Sequence, residues 1–138
     1  MLDLDNFKFY NDKHGHPRGD ELLRRLARIL TECLRGSDVV ARVGGEEFLV
    51  LLFDTGLDAA LTAGEKLRSA VAEYPFAFGE DQPLGRVTIS VGVAGWPTHG
   101  DHVDRVLEAA DQALYVSKAG GRNRVTLAPT PVAGSSGS

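Results

Sequence analysis

The sequence has few features of a secreted, membrane-spanning or nucleic-acid-binding protein. Its 138 residues include a single cysteine, Cys33, which excludes an internal disulfide and a zinc site made of several cysteines. No apolar run approaches the roughly 18–20 residues that cross a membrane, and the first residues do not form a signal peptide. The formal net charge of −4 disfavours sequence-independent binding to a polynucleotide. We therefore expect a cytoplasmic protein, or the cytoplasmic part of a larger one.

What the chain does contain predicts one mixed α/β domain. Hydrophobic residues make up 43% of the sequence, and 138 residues are enough to bury a core. Helical periodicity predicts helices over residues 20–34, 58–74 and 101–119, whereas residues 7–19 look like a loop. Strand patterns cover residues 1–5, 38–43, 48–53, 86–94 and 123–127. We expect an α/β (α+β sandwich) domain with helices packed on one sheet, ending near residue 127, and a flexible tail over residues 128–138.

Two acidic pairs suggest a metal and phosphate site. Gly44 and Gly45 lie between two strand patterns and precede Glu46 and Glu47, so we expect a tight hairpin turn that uses positive φ at the glycines. Near the N-terminus, Asp3 and its neighbour Asp5 would point to one face of a strand. Oxygen ligands of this kind suit magnesium. Both pairs could instead be solvated surface acids, and they can form one cation site only if the first strand lies beside the hairpin.

Other polar residues could have either a structural or a ligand-binding role. Lys8 and the amides after the first strand could hold phosphate, although lysines in turns are common. Lys118 and Arg122 flank two glycines after the last helix, where cations are favourable in any case. Asn11 and Asp20 border the predicted loop; Asp20 could be a helix N-cap or could accept hydrogen bonds from guanine.

Taken together, these segments resemble a known family. The chain contains, in one order, Asp3-Leu4-Asp5-x-Phe7-Lys8-x-x-Asn11-Asp12, Gly15-His16-x-x-Gly19-Asp20, Arg42-x-Gly44-Gly45-Glu46-Glu47-Phe48, Val87-Thr88-Ile89-Ser90-Val91-Gly92-Val93-Ala94 and Ala110-Asp111-x-Ala113-Leu114-Tyr115-x-x-Lys118-x-x-Gly121-Arg122-Asn123. This arrangement closely resembles the GGDEF domains of diguanylate cyclases, which condense two GTP into cyclic di-GMP and pyrophosphate. The resemblance implies a mostly antiparallel central sheet with surrounding helices, as in nucleotide cyclases and polymerase palms. Against the family pattern, residues 1–127 lack the N-terminal helix and part of the first strand.

The resemblance also implies roles for individual residues. Mg²⁺, or Mn²⁺, would be held by Asp3, the Leu4 carbonyl and Glu46. Glu46, Glu47 and Lys8 would be catalytic. The substrate would be bound by Phe7, Lys8, Asn11, Asp20, Gly44, Gly45, Lys118 and Arg122, with Asn11 and Asp20 reading guanine and the two glycines seating the ribose and α-phosphate.

The same resemblance implies partners and control. Each domain would bind one GTP, so a second GGDEF domain in a homodimer must supply the attacking hydroxyl, under the control of an upstream sensor domain. Arg35 and Asp38 form an Arg-x-x-Asp pattern that in the family binds cyclic di-GMP as an inhibitor. Equally, Arg35 could lie at the end of a helix and Asp38 at the start of a strand, without a role in binding. An alternative function is a catalytically impaired regulatory module that binds GTP or cyclic di-GMP.

Overall fold

A central five-stranded sheet organises the protein. The structure, a computed structural model, describes residues 1–131. The sheet has the order β2-β3-β1-β4-β5, and every neighbouring pair is antiparallel except β4–β5. The strands are β1 (Leu2–Leu4), β2 (Val39–Arg42), β3 (Glu47–Leu51), β4 (Ile89–Val93) and β5 (Val125–Leu127). The helices are α1 (Phe7–His14), α2 (His16–Cys33), α3 (Leu57–Glu73) and α4 (Val103–Ala119), and a 3₁₀ turn spans Gly79–Asp81. The α/β fold and the mostly antiparallel sheet are confirmed.

The short strand β1 lies at the centre of the sheet. It pairs with β3 on one side and β4 on the other, and its apolar residues Leu2 and Leu4 are each 1% exposed. They pack with leucines of α2, with Leu67 and Val71 of α3 and with Ile89 of β4. Three residues therefore suffice for a strand here because both edges are paired and the apolar side chains are buried.

The prediction of a loop over residues 7–19 is wrong. That segment forms α1 and the first turn of α2, and only Gly15 separates the two helices. Gly15 has a φ of 90°, so α1 ends at this residue and α2 begins just after it. Pro17 lies in the first turn of α2, where a proline costs no hydrogen bond. Phe7 and Tyr10, three residues apart, anchor α1 in the core. Asp20 consequently lies inside α2 and is not its N-cap.

The β2–β3 hairpin forms as predicted, but its turn does not. Arg42 pairs with Phe48 and Val39 with Leu51, and the Val43 N–H donates to the Glu47 carbonyl over 2.9 Å. Neither Gly44 nor Gly45 is among the residues with positive φ. The expectation of a left-handed turn is therefore wrong, and the reason for two glycines is not backbone strain.

The packed domain extends slightly beyond the predicted boundary. Ala128, which the sequence assigns to the tail, is 2% exposed, and its N–H donates to the Val93 carbonyl over 2.8 Å. The buried His99 ring also contacts the Ala128 carbonyl. Residues 132–138 of the predicted tail lie outside the described residues. Among the helices of residues 1–131, none is long and apolar enough to span a membrane.

Candidate active site

Strand pairing brings the two acidic pairs together. Asp3 of β1 is directly opposite Glu47 of β3, and the Leu4 N–H donates to the Glu46 carbonyl over 3.2 Å. Directly paired residues on adjacent antiparallel strands share a face, so the carboxylates of Asp3 and Glu47 lie on the same side of the sheet. The first strand does lie beside the hairpin, which was the condition for a shared cation site.

Asp3 is the electrostatic centre of this cluster. Asp3 is 5% exposed, and the ammonium of Lys118 contacts its Oδ2. Its Oδ1 is buried and has no hydrogen-bond partner within residues 1–131. Desolvation raises the pKa of Asp3 to about 6, because the opposing effect of Lys118 is smaller and the charges of Glu46 and Glu47 add to the rise. Asp3 therefore has a buried oxygen and an unfavourable surplus of negative charge beside it.

These features fit a divalent cation that is only partly held by protein. Among residues 1–131, no cluster of His, Cys, Asp or Glu side chains could hold a metal ion by itself. Magnesium, however, usually keeps one or two carboxylates and completes its shell with water and substrate phosphates. The unpartnered Oδ1 of Asp3, the neighbouring carboxylate of Glu46 and the Leu4 carbonyl suit that requirement.

The hairpin loop is held by a residue that the sequence did not single out. The Arg42 guanidinium donates from Nε to the carbonyls of Gly44 and Gly45, both over 3.1 Å, and from Nη2 to the Gly45 carbonyl over 2.7 Å. A Cβ at Gly44 would lie 3.2 Å from Oε1 of Glu47, whereas a Cβ at Gly45 would meet nothing within 4 Å. Gly45 thus leaves open surface beside the acids. Only the position of Arg42 just before the turn could have indicated its bracing contact.

Asn11 and Asp20 are brought close by the two consecutive helices. A Cβ on Gly19 would lie 1.7 Å from Oδ1 of Asn11, so the Asn11 side chain packs directly against α2 beside Asp20. In the described part of the chain, that Oδ1 atom is buried without a hydrogen-bond partner. Asp20 lines a groove of about 430 Å³ between α2 and the hairpin, together with Phe48 and Arg42, and this volume is in the range of ligand pockets.

The predicted phosphate ligands do not line this groove, and of the four Lys118 is the one that contacts Asp3. The side chain of Phe7 is buried in the core, so only its backbone amide, at the first position of α1, can face a ligand; amides there have no intrahelical partner. Lys8 is exposed and pairs with Asp12 over 2.8 Å, a hydrogen bond that raises the pKa of Lys8. Arg122 is exposed with φ of 67°, just beyond α4.

Asp5 has a different role from its neighbour Asp3. Its carboxylate accepts hydrogen bonds from the hydroxyls of Thr88 and Ser90, over 2.7 and 2.6 Å, and from the Asn123 N–H over 3.0 Å. Asp5 therefore connects β1 to β4 and to the segment that carries Arg122. The alternation of Thr88 and Ser90 in the sequence indicated a polar strand face, but not the residue that it contacts.

Arg35 and Asp38 lie next to each other between α2 and β2. The Arg35 N–H donates to Oδ2 of Asp38 over 3.1 Å, and its Nη2 donates to the Phe53 carbonyl and to Oγ1 of Thr55. Oδ1 of Asp38 is buried, and no group among residues 1–131 donates a hydrogen bond to it. These contacts fit the structural alternative, in which the two residues form the turn between a helix and a strand. They nevertheless leave one buried carboxylate oxygen of Asp38 without a hydrogen bond.

Comparison with known proteins agrees with this arrangement. The family model described as diguanylate cyclase, GGDEF domain, matches residues 1–124. Diguanylate cyclase A of Treponema denticola is 43% identical over 127 residues, which cover 92% of this chain and 34% of that protein. The response regulator PleD of Caulobacter vibrioides is 42% identical over 125 residues, covering 91% and 28%. The chain thus spans about a third of the length of these curated relatives.

Solved structures agree as well. The active GGEEF domain of a diguanylate cyclase from Vibrio cholerae superposes with a TM-score of 0.83 at 36% identity, covering 94% of this chain and 81% of that one. The GGDEF domain of DgcB from Caulobacter crescentus, solved in complex with c-di-GMP, gives 0.81 at 38% identity, covering 92% and 74%. With the family model matched over almost the whole described chain, this protein belongs to the GGDEF domain family of diguanylate cyclases.

Proposed function

We propose that this chain condenses two GTP into cyclic di-GMP and pyrophosphate, as one half of a homodimer with one GTP in each domain. The observation that carries the proposal is the buried Oδ1 of Asp3, which has no hydrogen-bond partner within residues 1–131 and lies beside Glu46 and Glu47; desolvation, and to a lesser degree the charges of these two glutamates, raise the pKa of Asp3. Such a site favours a cation, and the hairpin that carries Glu46 and Glu47 also borders, through Arg42 and Phe48, a groove of about 430 Å³. Clustered carboxylates lower the stability of a folded protein, and such clusters are common at functional sites.

The groove beside Asp20 supplies the base site in this proposal. Asn11 has a buried acceptor oxygen with no partner, and Asp20 can accept two hydrogen bonds from neighbouring donors on one base edge. Guanine presents such a pair, N1–H and the exocyclic amine, whereas adenine does not. Buried acceptors that stay unpaired with the wrong base are an effective source of selectivity.

The triphosphate would extend from this groove towards the acids. Gly45 leaves an open approach to the backbone for the ribose and α-phosphate. The amides at the start of α1, with Lys8, Lys118 and Arg122, provide positive charge and hydrogen-bond donors for the β- and γ-phosphates. Lys118 already contacts Asp3, so it can stabilise both the carboxylate and a phosphate.

A divalent cation, Mg²⁺ or Mn²⁺, would be held by Asp3, Glu46 and the Leu4 carbonyl. When bound, it supplies charge neutralisation at the α-phosphoryl group and the leaving pyrophosphate. Glu47, opposite Asp3 in the sheet, is the remaining carboxylate and would assist removal of the proton from an attacking 3′-hydroxyl. Because each domain offers one base groove, that hydroxyl comes from GTP on the second domain, and alignment of the two half-sites provides much of the rate.

The Arg35 and Asp38 pair would bind the product. The unused buried oxygen of Asp38 can accept from guanine, and the Arg35 guanidinium, already held by Phe53 and Thr55, presents further donors to a phosphate. This observation also favours the second candidate function, a module that binds cyclic di-GMP or GTP without turnover. The two functions differ in whether GTP is consumed.

The test compares Glu46→Gln with Glu108→Gln, an exposed position on α4. Each protein is incubated with GTP and Mg²⁺, and cyclic di-GMP is measured by chromatography. We expect the Glu46 variant to lose at least about 10²-fold in rate, since electrostatic groups at a reaction centre contribute that much, while the control keeps wild-type turnover. Unchanged synthesis by the Glu46 variant would refute the site. GTP binding without turnover in the wild type would favour the regulatory module.

A further inference from the structure

A second cavity borders a neighbouring face of α2, next to the hairpin groove. It has a volume of about 460 Å³ and lies between α2 and residues 74–77, which follow α3. Its apolar wall includes Tyr10, Leu22 and Phe76, which are 2%, 4% and 7% exposed. We call this cavity the arginine cleft, because Arg18, Arg24, Arg25 and Arg28 also line it.

The charge of the arginine cleft is opposite to that of the protein. The chain carries a formal net charge of −4, yet four arginines line this one cavity, with Glu21 as the acid among its lining residues. Within residues 1–131, none of the four guanidinium groups has an ion-pair or hydrogen-bond partner. Like charges gathered around one cavity repel one another unless an anion offsets them.

Two of these arginines are oriented by aromatic rings. The guanidinium carbon of Arg18 lies 4.6 Å from the ring centre of Phe78, and that of Arg25 lies 5.6 Å from the ring centre of Tyr74. Stacking on a ring orders the guanidinium plane and leaves its N–H edge available. A preordered arginine loses less entropy when it binds an oxyanion, which makes the cleft a better anion site than four mobile surface arginines.

We propose that the arginine cleft binds a nucleotide, with the phosphate on the arginines and the base against the aromatic wall. Arginine matches phosphate with paired hydrogen bonds, and a planar base stacks on tyrosine or on a guanidinium plane. The concave shape and the volume suit a single nucleotide better than an extended acidic peptide, which would favour a flatter surface. This site is separate from the proposed GTP groove, although Arg24 lines both cavities.

The three tyrosines of the chain allow a direct test. Biosynthetic incorporation of 3-fluorotyrosine gives one ¹⁹F signal each for Tyr10, Tyr74 and Tyr115. The protein is titrated with GMP in EDTA, so that no metal supports binding next to Asp3. We expect a saturable shift of the Tyr74 signal, with little change for Tyr115, which is 72% exposed on α4.

Matched variants identify the cationic ligands. Arg25→Ala with Arg28→Ala leaves Arg24 and the proposed GTP groove untouched, and both side chains are on the surface, so folding is retained. We expect this double variant to weaken the Tyr74 response to GMP about tenfold or more, the effect of losing hydrogen bonds to a charged group. Arg105→Ala, an exposed arginine on α4, should leave the GMP titration unchanged.

Two further ligands decide the chemical class. Guanosine, which lacks the phosphate, should bind at least about tenfold more weakly than GMP, and inorganic phosphate should not shift Tyr74 at matched concentration. An equal response to inorganic phosphate would overturn the proposal in favour of a nonspecific anion patch. A GMP response that is confined to Tyr115, or that survives the double variant, would also overturn it. None of these readouts needs GTP turnover, so failure of the proposed activity and failure of this site are distinguishable.

Discussion

Loss of the Asp5 carboxylate should destabilise the protein more than any surface substitution. Asp5 is 3% exposed and the hydroxyl groups it accepts from belong to Thr88 and Ser90, which are 1% and 0% exposed. Its third donor is the N–H of Asn123. Replacement by alanine therefore removes three hydrogen bonds to a carboxylate and leaves two buried hydroxyls without their acceptor.

The magnitude follows from these contacts. A hydrogen bond to a charged group contributes roughly 1.5–3 kcal/mol, and a buried group left unpaired costs about 1–3 kcal/mol. Because such contributions are not additive, we expect Asp5→Ala to lower the free energy of unfolding by about 3–5 kcal/mol, a large part of the roughly 5–15 kcal/mol of an average domain. Asp5→Asn keeps the shape and one acceptor, so it should lose about half as much.

Urea unfolding followed by circular dichroism measures this loss, with Asp101→Ala as the control because the Asp101 side chain is 86% exposed. The control should change the unfolding free energy by less than about 0.5 kcal/mol. A double-mutant cycle with Ser90→Ala isolates one contact. A loss below about 1 kcal/mol in Asp5→Ala at an unchanged m-value would refute the reasoning, since three buried contacts would then contribute no net stability.

Three further predictions concern the site itself. Gly45→Ala should leave the unfolding free energy within about 0.5 kcal/mol, because the new Cβ meets nothing within 4 Å, yet weaken GTP binding about tenfold by crowding the ligand; unchanged affinity in calorimetry would contradict the role of this loop as a nucleotide seat. Gly19→Ala should displace the side chain of Asn11, because the new Cβ would lie 1.7 Å from Oδ1 of Asn11, and should weaken GTP binding roughly tenfold, whereas Gly36→Ala, in open space, should not; equal GTP affinity in both variants would argue against Asn11. Finally, because the pKa of Asp3 is raised to about 6, apparent Mg²⁺ affinity with GTP should fall as the pH drops below about 6 and level off above it. An Mg²⁺ affinity that does not change between pH 5 and 7 would be incompatible with Asp3 as a ligand. The same raised pKa should make the metal-free protein less stable as the pH rises from about 4 to about 6, since folding favours the neutral acid.

The regular elements were largely predictable from local pattern. Apolar runs on either side of the two glycines indicated β2 and β3, alternating residues over 86–94 indicated β4, and periodic leucines indicated α2. The segment 7–19 was not predictable in this way, since asparagine, glycine and proline favour loops locally. Burial of Phe7 and Tyr10 in the core outweighs that preference and makes the segment helical.

The site was predictable as a set of residues and much less as a set of contacts. The order of the acidic, glycine and basic blocks identified the family, which the matched family model confirms. It did not indicate that Asp5 would accept from Thr88 and Ser90, that Arg42 would brace the hairpin loop, or that Lys118 would contact Asp3. The contacts of Asp5 and Lys118 join residues that are 83 or more positions apart in the chain, and such residues meet only in the folded sheet, to which local pattern is insensitive.

By itself, the sequence determined the family, the strand and helix pattern and the chemical character of the site, because these depend on residue types and short spacings. Tertiary structure decided how the glycine–glutamate hairpin works: β1 pairs with β3, which places Asp3 opposite Glu47 and raises the pKa of Asp3 through burial and neighbouring charge. It also decided that Gly45 has open space beside it and an ordinary backbone. The burial of Asp3, the charges near it and the open space beside Gly45 all depend on residues that are distant in the chain. Only the folded structure brings those residues together.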